Sequence, residues 1–200
     1  LSKWIGPIHL FDSVSATVKH GTRDYFNNSA AIYNELFYHN YHAMIDDYMI
    51  GKYPLKKEHI VADFGMGAGI FACRLSPHVK KVVGYDFSQE MCDLANRNIS
   101  SQNISNVVCM NEDFLKLTNN PPKYDYGYCQ TVLHHLTYPQ RAIKRMAEMI
   151  KEGGALIISD FAKHKHSELV HENSDLWYGF TEEQFRAYLR EAGFKNIWVE

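Results

Sequence analysis

Ile60 to Ala72, IVADFGMGAGIFA, is the stretch whose reading decides the fold. An apolar run (Ile60, Val61, Ala62) leads into Asp63 and Phe64. Three glycines follow at alternate positions, Gly65, Gly67 and Gly69, and then Ile70, Phe71 and Ala72. That order predicts a strand, a tight turn and a helix. Alternate glycines suit a turn whose backbone takes positive φ or lies very close to a bound molecule at a helix N-terminus. Taken alone, the stretch reads equally as a nucleotide-type cofactor loop or as an ordinary glycine-rich connection.

The 200 residues are 46% hydrophobic and 22% charged, which suits one globular domain with a substantial core plus an appendage. We divide the chain into an arm and helix over 1–54, serving as a cover, and a cofactor-binding domain over 55–200. A formal charge of -2 gives no global basic surface for nonspecific nucleic-acid binding. Cys73, Cys92, Cys109 and Cys129 are not closely paired in sequence and read as reduced, buried thiols of a cytoplasmic protein. No signal peptide or membrane span is expected, and monomer and homodimer both stay open.

Outward from the loop, Leu1 to His20 reads as an irregular arm with one short helix at most. From Ser29, Tyr33, Phe37, Tyr41, Met44 and Tyr48 recur at helical spacing, predicting an amphipathic helix that packs its aromatic stripe and ends near Gly51 and Pro54. Downstream, strands are predicted over 80–85, 106–110, 124–131, 155–159 and 194–199. Between them lie a helix capped by Ser88, one over about 139–150, and one opened by the Thr181 and Gln184 capping box and closed at Gly193. Alternating strands and helices argue for an α/β, doubly wound, mostly parallel sheet covered on both faces, with an N-terminal helical arm.

In such a sheet, ligands bind beyond the C-terminal strand ends, where strand order reverses. The polar residues placed there are Asp63 and the glycines, Asp86, Asp113, Gln130 with His134 and His135, and Asp160. Asp86 follows the loop by roughly twenty residues, the distance at which an acid accepts hydrogen bonds from a ribose diol. A dinucleotide fingerprint needs its third glycine where this chain has Ile70; the third glycine is Gly69 instead, which disfavours NAD or FAD.

These motifs together resemble the class I S-adenosylmethionine-dependent methyltransferases, over Tyr25 to Val199. VADFGMGAG resembles the family's first motif, VVGYDFSQEM its ribose-binding strand, NEDF the adenine-contacting motif, YDYGYCQTVLHHL the fourth-strand segment, and IKEGGALIISDF the fifth. Within the family the chain is most similar to the small-molecule branch that includes quinone-biosynthesis methyltransferases. SDFAKHKHSEL with GFTEEQF further resembles methyltransferase domains attached to arsenic-repressor-type regulators. The resemblance implies a Rossmann-like fold and the cofactor S-adenosyl-L-methionine, released as S-adenosyl-L-homocysteine. It implies that Gly65, Gly67 and Gly69 line the methionine and ribose portion, that Asp63 orients the ammonium, Asp86 the ribose diol and Asp113 the adenine amino group. Phe87, Met91 and Phe114 would pack on adenine, with Gln130 beside the cofactor; plain core packing explains those three apolar residues equally.

Methyl transfer from a sulfonium is an in-line displacement helped mainly by alignment and exclusion of water. A base is needed only if the acceptor must lose a proton, and His134 and His135 sit where one would be placed. Packing beneath the cofactor is the other reading of that pair. Tyr25, Tyr33, Asp160, His164, Trp177 and Tyr178 are the expected acceptor-side residues. His164, His166, Glu168 and His171 fall in one loop, read as a solvated lid with no metal expected. The family's last strand is missing or trimmed here, which leaves the fifth strand's edge for a longer native chain to cover. Two other functions stay open: a noncatalytic cofactor-sensing module, and an NAD(P)-dependent oxidoreductase.

Overall fold

The computed structural model describes residues 2–4, 22–30, 40–118, 120–165 and 175–200. Its centre is the predicted strand and loop: β2 (Ile60–Phe64) rises into the glycines, and α3 (Ile70–Leu75) leaves them. β3 (Lys81–Asp86), α4 (Gln89–Ser101), β4 (Val107–Asn111), β5 (Tyr124–Gln130), α5 (Pro139–Glu148), β6 (Ile150–Ser159) and α6 (Glu182–Glu191) follow. Ahead of them lie β1 (Ser2–Trp4), α1 (Thr22–Ser29) and α2 (Asn40–Gly51). The sheet has the order β1-β6-β5-β2-β3-β4, and every ladder is parallel.

Successive side chains of a strand point to opposite faces, and the two cores follow that alternation. Ala62 and Phe64 join Leu156 and Ile158 beneath α5 and α6, against Ile143, Met146, Phe185 and Leu189. Val61 joins Val82, Tyr128 and Ile157 beneath α2, α3 and α4, against Met49, Leu75 and Ile99. Each fully buried side chain of this kind contributes about 1.5–3 kcal/mol through area removed from water. Continuous apolar strands are what burial on both faces requires.

Local chemistry sets the helix ends as expected. Ser88 Oγ accepts from Met91 N, Thr181 and Gln184 close the capping box, and Gly193 at φ +87° ends α6. Four expectations are corrected. Ser2–Trp4, placed in the irregular arm, pairs with Ala155–Ile157 and so lies along the edge of β6 that was expected to be bare. Residues 194–199 form no strand: Phe194 is buried beside α6, the Ile197 carbonyl accepts from Arg186, and Trp198 faces solvent. The last long strand starts at Ile150, because residues 151–154 bulge opposite Asp125 before pairing resumes at Tyr126 and Ala155.

The fourth correction concerns α2. Its buried face is Asp46 and Met49, flanked by Ile45 and Ile50, whereas Met44 is 70% exposed and Tyr48 43%. Asp46 fixes that rotation, meeting Arg74 Nε at 3.3 Å and accepting from Gln130 Nε2 at 3.2 Å. Tyr33 and Phe37 lie outside the described residues.

Candidate functional site

The chain runs from β2 outward through β3 to β4, then crosses back to place β5 on the other side of β2. Strand order reverses between β2 and β5, so the glycine loop and the turn after β5 face one another. Gly65 shows how closely: its φ is +76°, and a Cβ there would sit 2.4 Å from Val132 Cγ2. Gly69, at φ +73°, brings the start of α3 against α4, where a Cβ would come within 3.0 Å of Ala95 Cβ. Ile70, the position that separates the loop from a dinucleotide fingerprint, is the first residue of α3 and packs beside Ala68 and Met91.

Asp86 ties the loop to the second strand. Its Oδ2 accepts from Gly67 N at 2.9 Å and its Oδ1 from Ser88 N at 2.9 Å. Gly67 has φ +51°, so its N–H is turned toward that carboxylate. Asp63, at the end of β2, is buried, and its Oδ2 accepts no hydrogen bond from any described residue. Burial pushes its carboxyl up to about 8, and the Asp46 and Asp86 charges add to the effect. A buried carboxylate oxygen without a donor at the mouth of a glycine loop is a place for a cationic ligand group. The loop amides, two spaced acids and this oxygen bring together groups able to hold a polar ligand that bears a positive charge.

Comparison with known proteins shows what the chain is similar to. Residues 62–158 match the family model described as a methyltransferase domain. The ubiquinone biosynthesis O-methyltransferase of Coxiella burnetii is 34% identical over 113 residues, covering 56% of this chain and 47% of that protein. The uncharacterised methyltransferase YcgJ of Bacillus subtilis is 28% identical over 112 residues, 56% of this chain and 44% of the relative. The chain thus spans about half the length of the relatives it matches. In fold, it superposes on phosphoethanolamine N-methyltransferase 2 of Haemonchus contortus with a TM-score of 0.73 at 19% identity, over 88% of this chain and 44% of that one. The crystal structure of YcgJ gives 0.69 at 22%, over 76% and 68%. Over residues 62–158 the chain is similar to methyltransferase domains, and its fold is the one these solved methyltransferases share.

The other expected site residues separate into groups. Phe87 is half-buried and, with exposed Leu115, lines a cavity of about 450 Å³ that also meets His135, Leu136 and Arg141. Met91 and Phe114 are core: Met91 packs with Ala68 and Leu94, and Phe114 against Phe64. Asp113 caps the short turn after β4 by accepting from Leu115 N at 3.0 Å, and it pairs with Lys116 at 3.0 Å. Gln130 is joined to Asp46 of α2.

His134, His135 and Asp160 gather into one cluster. Asp160 accepts from Leu133 N at 2.7 Å and from Phe161 N at 2.8 Å, and His134 Nδ1 lies 2.7 Å from its Oδ1. His134 Nε2 and His135 Nδ1 both approach Asp175 Oδ1, at 3.4 Å and 3.2 Å. Burial alone would lower the His134 imidazole, but the Asp160 and Asp175 carboxylates outweigh it and raise it. Phe26 of α1 packs edge-on to His135 at 4.9 Å and to Phe87 at 6.4 Å. Tyr25, beside Phe26, is buried. His164 lies near Tyr178, and Trp177 donates to the Leu136 carbonyl at 2.8 Å. Tyr33, His166, Glu168 and His171 fall outside the described residues.

Asp46, Leu115, Asp175 and Phe26 are the residues missed by the sequence reading. Each reaches the site from a helix face or loop whose spacing carries no motif. Asp175 alone had a partial signal, an acid directly before the expected aromatic segment LWY.

Proposed function

We propose that this protein transfers the methyl group of S-adenosyl-L-methionine to a small-molecule acceptor. The observation that carries this reading is the buried Oδ2 of Asp63, without a donor among the described residues, beside a glycine loop tied to Asp86. The cofactor supplies a sulfonium-bound methyl, displaced in line by the acceptor's nucleophilic atom. Asp63 takes the ammonium, the remaining lone pairs of Asp86 the ribose hydroxyls, and Gly65, Gly67 and Gly69 leave room for the chain between them. Phe87 and Leu115 flank the adenine in the cavity they line, Asp113 takes its amino group, and Gln130 lies beside the cofactor.

The acceptor side is His135 with Tyr25, Phe26, Asp160, His164, Trp177 and Tyr178. Phe26, lying on both Phe87 and His135, supports residues 1–54 as cover for the 55–200 domain. His135 is on the cavity wall, placed to take a proton when the acceptor has one to lose; His134, locked by Asp160, positions it.

Among the described residues no helix is long and apolar enough to cross a membrane, and all four cysteines are free, which supports a reducing compartment such as the cytoplasm. The net charge of -2 supports small molecules rather than nucleic acid as partners. Calorimetry with S-adenosylhomocysteine, followed by turnover of S-adenosylmethionine against a metabolite library, tests the reading. Absence of binding would sink it, and binding without turnover on any acceptor would favour a sensing module.

A further inference from the structure

We propose that His134, His135 and Asp175 form a binding site for a divalent ion of the zinc type. Three donor atoms of the kinds such ions take, two imidazole nitrogens and one carboxylate oxygen, lie within 4.8 Å of one another. The two separations to Asp175 Oδ1 are 3.4 Å and 3.2 Å. Bonds of about 2.0–2.2 Å in tetrahedral geometry set neighbouring donors about 3.3–3.6 Å apart, so the 3.4 Å separation lies within that edge length and the 3.2 Å one just under it.

The hydrogen bonding points the same way. Asp160 receives two backbone amides and faces His134 Nδ1 at 2.7 Å, so that nitrogen carries its proton toward a carboxylate. The opposite nitrogen, Nε2, faces Asp175, whose Oδ1 accepts no hydrogen bond from any described residue although its side chain is only 1% exposed, and it offers that point a lone pair whenever the imidazole is neutral. A buried carboxylate oxygen facing two ring nitrogens calls for positive charge between them, and a bound ion supplies it to all three donors at once. A carboxylate behind a ligating imidazole fixes the tautomer and orientation that metal binding needs, and Asp160 stands in that relation to His134. Three protein ligands leave one coordination position open, as in sites where an ion holds a reactive water. With an ion bound, His135 would be a ligand, and the proton acceptor at the cavity wall would be hydroxide formed when a water on the open position loses its proton to solvent.

Titration of metal-stripped protein with Co²⁺, followed by the visible absorption of a four-coordinate centre and by displacement with Zn²⁺, reads the site directly. Saturation at a single equivalent is expected. Asp175→Asn and His135→Ala should weaken binding by more than roughly 100-fold, and Asp160→Asn by about 10- to 100-fold as an outer-shell change. Where a variant fails to fold, ring-nitrogen NMR of the unaltered protein serves instead: Zn²⁺ should move His134 Nε2 and His135 Nδ1 and leave His164 in place. No saturable Co²⁺ binding, or unchanged affinity in folded Asp175→Asn, overturns the proposal and leaves His135 as the base. So does binding abolished by His166→Ala but kept in Asp175→Asn.

Discussion

The Gly67 amide donates to Asp86 Oδ2 at 2.9 Å, so the loop after β2 and the acid ending β3 are one unit before any ligand arrives. Asp86→Ala removes the ribose acceptor and releases the loop together. Hydrogen bonds to a charged group are worth about 1.5–3 kcal/mol each, so affinity for S-adenosylhomocysteine should fall by roughly 100-fold or more. Calorimetry measures it, and an unchanged Kd in the folded variant would remove Asp86 from the cofactor site.

Gly65→Ala tests the close approach across the switch point. The variant carries two separable penalties: a non-glycine residue at φ +76°, about 1–2 kcal/mol, and the overlap of the new Cβ with Val132. Adding Val132→Ala removes the second and keeps the first. Thermal unfolding should therefore show a large loss for the single variant and partial recovery in the double. Full additivity of the two substitutions would mean that the loop and the turn after β5 do not press on one another.

How much of this was legible in sequence follows from which signals are local. The glycine loop, Asp86 and the caps at Ser88 and Thr181 are set by backbone conformation within a few residues, and each was readable. Met44 and Tyr48 misled because helical spacing reports that a face exists without saying which face is buried. That choice was made by Asp46 against Arg74 and Gln130, 28 and 84 residues away. Residues 194–199 carry the aromatic and β-branched residues of a strand, yet propensity confers no partner, and the edge of β6 is taken by Ser2–Trp4. His134 and His135 were readable as candidates. Asp175, which brings both to one point, was not, because contact through an irregular loop has no period.

Asp63 predicts a pH dependence whose sign can be worked out. Its folded carboxyl, pushed up to about 8, lies above its unfolded value near 3.9, so between those values the native state holds the extra proton. The unliganded protein should lose this contribution to stability as pH rises from about 4 to about 8. An incoming ammonium reverses the balance by favouring the carboxylate, so binding below about pH 8 expels a proton. Calorimetry in buffers of different ionisation enthalpy should show release of nearly one proton per S-adenosylhomocysteine near pH 6.5, and none in Asp63→Asn. Equal heats across buffers in the unaltered protein would mean that Asp63 does not meet the ammonium.

Asp46→Asn separates the charge of α2 from its packing. After burial, the Asp46 charge is the next influence holding the Asp63 carboxyl up, and asparagine keeps the shape and the acceptor oxygen that Gln130 uses. Arg74 stays paired with Asp47, and its side chain is 31% exposed, so the cost in stability should be only about 1 kcal/mol. The proton release on binding should therefore persist but shift its midpoint to lower pH, because Asp63 ionises more readily once its neighbour is neutral. Asp46→Ala, which also withdraws the oxygen from Gln130, should lose more stability than Asp46→Asn while moving that midpoint in the same direction. A midpoint that stays fixed in both variants would show that α2 acts on the cofactor site by packing alone.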